Sequence, residues 1–121
     1  MRLVFDLAVS TRAPFQARVM LETLAADLDP QTLGDLRIVV SELVSNAVKY
    51  GPATPVHVEL DVVGPTRVSG VVADRGDPAR APRIHERPGD HGGYGMRLVD
   101  TLASAWGVRE GSTDVWFELG G

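Results

Sequence analysis

The sequence predicts an α+β domain, a two-layer α/β sandwich in which one sheet carries helices on one face. Three observations predict it. Leu33, Leu36, Val39, Val40, Leu43, Val44 and Ala47 recur by threes and fours, the stripe of an amphipathic helix. Val56–Val62 alternates apolar and polar residues, as a strand with one buried face does. Gly64-Pro65 then turns the chain into a second apolar run, Val68–Asp74, so the pair reads as a hairpin.

The remaining elements follow in order. Leu3–Ala8 is short and apolar enough for a strand. Ser10 or Thr11 can cap the next helix, and Pro14 is tolerated in its first turn. Val19, Leu21, Leu24, Ala25 and Leu28 extend that helix to about residue 28. Asp29-Pro30 ends it and starts the long second helix, which stops near Tyr50-Gly51-Pro52. Residues 75–93 are rich in Gly, Pro, Arg and Asp and lack periodicity. A connection of that length in a small domain suggests a functional lid. A third helix is predicted from Tyr94 to about Trp106, with Met96, Leu98, Val99, Leu102 and Ala103 inward. Val115–Leu119 closes the chain as a strand, and Trp106 and Trp116 read as core.

Composition narrows the function classes. The 121 residues fit one domain spanning 1–121, and 44% hydrophobic content supplies one core. No apolar run reaches the roughly 20 residues of a membrane span. Met1–Asp6 lacks the long apolar core of a secretory signal, and there is no cysteine. A cytoplasmic location is the simplest expectation. The net charge is -4 and the basic residues form no dense run, which argues against nucleic-acid binding.

Three short motifs carry chemistry. Glu42 and Asn46 are four residues apart, on one helix face one turn from each other. A neutral amide oxygen suits Mg2+ when the ligand's phosphates supply the charge. Glu42 can accept a proton or orient water. Asp74 ends a strand and precedes Arg75-Gly76; its carboxylate can accept a hydrogen bond from an exocyclic amine, and Gly76 lets a flat base approach. Gly92-Gly93-Tyr94-Gly95 opens a helix, where glycines and the helix terminus favour phosphate. Taken singly, each is also what a solvated helix face, a strand-ending turn or a helix start presents. The glycines are neither a dinucleotide fingerprint nor a P-loop, for no strand runs straight into them and no Gly-Lys-Ser/Thr follows. His85, His91 and Asp90 lie on the irregular lid without metal-ligand spacing, and most of Arg80, Arg83 and Arg87 read as solvated.

The order of the three motifs is more specific. Glu42–Ala47, Asp74–Gly76 and Gly93–Val99 resemble the three boxes of the Bergerat-fold (GHKL-type) ATPases. Within them the chain is similar to the anti-sigma-factor serine/threonine kinases and related ATP-binding regulators of bacteria. Trp106–Val108 and Val115–Phe117 continue that resemblance nearly to the end of the chain.

The resemblance implies a mixed, mainly antiparallel sheet with ATP and Mg2+ as cofactors. Asn46 would coordinate the Mg2+ and Glu42 would be the general base. Asp74 would read the adenine amino group beside Gly76. Gly93 and Gly95 would flank the phosphates beneath the lid, and Lys49 and Tyr50 would lie near the nucleotide. Asp114 departs from the pattern, standing where a hydroxyl is usual; either Thr113 takes that role through a shifted strand, or phosphate binding is weakened by repulsion.

The partners implied are a sigma factor and an anti-anti-sigma factor, the latter receiving the phosphoryl group; relatives often form homodimers. The alternative is a catalytically weak ATP/ADP-binding module that controls a protein interaction. A detached histidine-kinase catalytic domain fits less well, since no phospho-accepting His motif or dimerisation hairpin is present.

Overall fold

The long helix α2, Pro30–Tyr50, organises the structure, a computed structural model that describes residues 1–52, 54–75 and 93–120. Its start is set by Asp29, whose carboxylate accepts from the Gln31 amide at 3.0 Å, and by Pro30, which brings no orphan N–H. Its end is set by Gly51, whose amide reaches the Ala47 carbonyl at 2.9 Å before Pro52 interrupts the chain. All seven residues of the predicted stripe, from Leu33 to Ala47, are buried.

The stripe lies on a five-stranded sheet of order β1-β2-β3-β5-β4. The strands are β1 Arg2–Leu7, β2 Val56–Gly64, β3 Arg67–Ala73, β4 Ala105–Val108 and β5 Val115–Leu119. All four neighbouring pairs are antiparallel. Register aligns inward residues across the sheet: Phe5, Val58, Val72 and Val115 form one row, and Leu3, Leu60, Gly70 and Phe117 the next. These rows face the helices, whereas Val4, alternate to Phe5, is exposed. The hairpin turn is tied to the helical layer by the Asp29 amide, 2.8 Å from the Pro65 carbonyl.

Helix α1, Ala13–Leu21, differs from expectation. It ends at Leu21 and tightens into a 3-10 turn, Glu22–Leu24, instead of running to residue 28. Its buried stripe is Ala13, Ala17 and Leu21, continued by Leu24, while Val19 is 52% exposed and Ala25 is also exposed. At about 100° per residue, Val19 stands opposite Ala17 and Leu21, so only one of the two apolar sets can face α2. The small alanines are the set that faces inward. No side chain caps α1; the Ser10 hydroxyl instead accepts from the Arg12 amide at 3.1 Å.

Helix α3, Gly93–Leu102, is shorter than predicted, and Trp106 belongs to β4. Ser104 makes the break. Its amide reaches the Glu118 carbonyl at 2.8 Å, and its hydroxyl donates to the Glu118 and Gly120 carbonyls. Those bonds hook the chain onto β5, and the next four residues pair with it. Leu98, predicted inward, is 43% exposed, while Met96 and Val99 are buried. Trp106 packs partly against the core, but Trp116 lies half-buried on the open face of the sheet, alternate to the inward Phe117. No helix among the described residues is long and apolar enough to cross a membrane.

Candidate functional site

The C-terminal half of α2 brings the first and third motifs together. Asn46 is buried on that helix, and its Nδ2 lies 3.2 Å from the Sδ of Met96. Met96 is the fourth residue of α3, so this contact sets Asn46 beside the turn that Gly93 and Gly95 open. A thioether sulfur accepts but cannot donate, so the amide nitrogen faces it and the carbonyl oxygen takes the other edge. Glu42, half-buried, stands one turn earlier on α2. Lys49 and Tyr50 are exposed in the last turn, where a cation also complements the helix dipole.

The same end of the helix also reaches the second motif. Asp74 follows β3 directly, and Arg75 after it adopts φ 58°, a left-handed conformation. Three residues from two distant stretches approach Asp74. The buried Thr113, just before β5, donates its hydroxyl to Asp74 Oδ1. Thr54 donates to the Asp74 carbonyl at 3.0 Å. Gly51, at the end of α2, lies so close that a Cβ there would stand 2.7 Å from Asp74 Oδ2.

Asp114 turns away from this cluster. Thr113 and Val115 are buried, and between them Asp114 places its carboxylate 3.5 Å from the Arg109 guanidinium. Its amide is bound by the Ser112 hydroxyl at 3.1 Å. Thr113 engages the Asp74 carboxylate, and Asp114 engages a cation. Gly76, the lid arginines, His85, Asp90 and His91 lie outside the described residues.

Asn46, Asp74, Thr113 and the first turn of α3 are thus gathered around one helix end, with Glu42 a turn back. Sequence reasoning missed Gly51 and Thr54. Gly51 reads only as a helix stop, and Thr54 sits in a Pro-flanked connection with no motif; their approach to Asp74 depends on the α2–β3 packing. The residues present suit an adenine nucleotide: a carboxylate acceptor for a base amine beside the Gly51 cap of α2, and, on α2 itself, a neutral amide oxygen beside a glycine-led helix start.

No curated protein matches the chain. Among solved structures, that of the RsbU and RsbW domains of Rv1364c from Mycobacterium tuberculosis is similar over 98% of this chain, at a TM-score of 0.70 and 24% identity. The present chain spans 31% of the length of that one. The family described as the histidine kinase-like ATPase domain matches residues 10–119, nearly the whole sequence. With its three motifs gathered around the end of one helix, the chain belongs to the histidine kinase-like ATPase family.

Proposed function

We propose that this chain binds ATP with Mg2+ along the C-terminal half of α2 and acts as an anti-sigma regulator that phosphorylates a serine or threonine of an anti-anti-sigma partner. The observation that carries the reading is that one helix touches both ends of the candidate pocket. Asn46 meets the first turn of α3, and Gly51 meets Asp74. Family membership supports the nucleotide. The resemblance of the three motifs to the anti-sigma kinases supports the partners, and the fold shared with a chain of RsbU and RsbW domains agrees with it.

Bound ATP would supply the transferable phosphoryl group, and its Mg2+ the charge that neutralises the phosphates. The chain's own residues divide the remaining work. Asp74 accepts a hydrogen bond from the base amine, and Thr113 orients that carboxylate. Asn46 offers a neutral oxygen to the cation, whose other ligands are phosphate oxygens. The first turn of α3 presents backbone N–H groups to anionic oxygens. Glu42 takes the proton of the incoming hydroxyl as that oxygen attacks.

Incubation of the protein with labelled ATP, Mg2+ and candidate anti-anti-sigma proteins tests this. Label should pass to the partner's serine or threonine, and Glu42→Ala should abolish transfer while retaining ATP binding. Tight binding with no transfer to any partner would leave the chain a nucleotide-gated binding module instead.

A further inference from the structure

The connection between α2 and β2 is the least expected part of the site. Gly51 ends α2 at φ -84° and ψ 173°, an extended conformation open to any residue. The backbone therefore does not demand glycine. The space does. A Cβ on residue 51 would lie 2.4 Å from the Ala47 carbonyl oxygen, 2.7 Å from Asp74 Oδ2 and 3.1 Å from Asp74 Cγ. The first neighbour is helix backbone, held by the hydrogen bond from the Gly51 amide, and yields little. The second is a side chain, which can rotate. A methyl group here pushes on the carboxylate.

Thr54 acts on the same residue from the other side. Its hydroxyl holds the Asp74 carbonyl at 3.0 Å, fixing the main chain from which the carboxylate projects. Thr113 holds Oδ1. One residue is thus confined from two stretches distant in sequence, two of its constraints coming from residues 51–54 and one from Thr113.

We propose that Gly51 and Thr54 are positioning residues for Asp74: the absent side chain at 51 and the hydroxyl at 54 set where the carboxylate stands, and so set preference for a purine bearing a 6-amino group. This rests on the ATP-binding reading above. It goes beyond it by assigning base selectivity to a connection that touches Asp74 and needs no contact of its own with the base.

The test compares two ligands by calorimetry on the intact chain with Mg2+: ATP, and purine riboside triphosphate, which lacks the 6-amino group. The wild type should prefer ATP. Gly51→Ala should weaken ATP about tenfold, the loss of one hydrogen bond to a charged group, and leave purine riboside triphosphate unchanged. Thr54→Val, which crowds nothing, should lower the same preference about threefold. A variant that loses both ligands equally has only a structural defect, and that result, or an unchanged preference in both variants, overturns the inference. Should Gly51→Ala fail to fold, Thr54→Val decides alone: a wild-type preference sinks the proposal. Absence of ATP binding in the wild type would instead remove the nucleotide reading itself.

Discussion

Thr113 donates its hydroxyl to the Asp74 carboxylate, tying the approach to β5, two residues before it, to the residue after β3. The bond is buried at the threonine end and carries a charge at the other, the kind whose loss costs about 1.5–3 kcal/mol. Thr113→Val keeps the shape and removes the donor. Urea unfolding should show a loss of that order, and adenine-nucleotide affinity should fall with it. Thr113→Ser, which keeps the hydroxyl, should recover most of the affinity.

Asn46→Ala removes the amide that joins α2 to α3 and the oxygen proposed for the cation. Calorimetry should find ATP affinity that no longer responds to Mg2+. Metal-free nucleotide binding should change little, because Asp74 is held by Thr54 and Thr113. Equal Mg2+ dependence in wild type and variant would exclude Asn46 as a metal ligand.

His57 provides a pH dependence on the open face of the sheet. Its Nδ1 lies 2.7 Å from Asp6 on β1 and its Nε2 lies 3.1 Å from Glu59, which also meets Arg2 at 3.1 Å. Carboxylates only accept, so both ring nitrogens are satisfied only in the protonated ring. The hydrogen bonds to Glu59 and then Asp6 raise the His57 pKa above 6.5. Stability from this raised pKa is fully present below pH 6.5 and is lost as pH rises through the folded-state value. Glu59, lowered chiefly by its hydrogen bond to His57, contributes above pH 4.5 and loses that contribution as pH falls through its folded-state value. Melting curves of wild type and His57→Gln should therefore diverge on the acid side of pH 6.5 and converge in alkali. Added salt should narrow the gap, since the cluster is well exposed.

Gly70 sits in the inner row between Leu60 and Phe117. A Cβ there would meet the Phe117 ring at 2.5 Å and Leu60 at 2.7 Å, so the aromatic ring occupies the space that glycine leaves. Gly70→Ala should cost about 1–3 kcal/mol by overpacking. Combining it with Phe117→Leu should give a double variant less destabilised than the sum of the two single changes. Strict additivity in denaturant melts would contradict this packing.

The elements with strong periodicity were legible. The stripe of α2 from Leu33 to Ala47, the 56–74 hairpin and the final strand all stand where their patterns put them. Where two apolar faces competed, the pattern was ambiguous. Val19 and Leu98 belong to helices whose other apolar positions are the ones that meet the core. Strand β4 was invisible because helical spacing runs on through Leu102 and Ala103, and only the bonds of Ser104 to β5 end it. The motif residues were legible in the same uneven way. Asn46 and Asp74 stood out by residue type and order, while Gly51 and Thr54 carry no local signal.

The sequence by itself determined the type of every strongly periodic element, the inward face of α2 and the three chemically apt motifs, because periodicity and residue type are local properties. Tertiary structure alone decided which motifs touch. It set Asn46 against Met96, turned Thr113 to Asp74 and Asp114 to Arg109, and brought Gly51 to the Asp74 carboxylate. All but the Arg109 pair join residues more than twenty positions apart, and they follow from burying the α2 stripe on the sheet, which fixes where the C-terminal end of the helix lies.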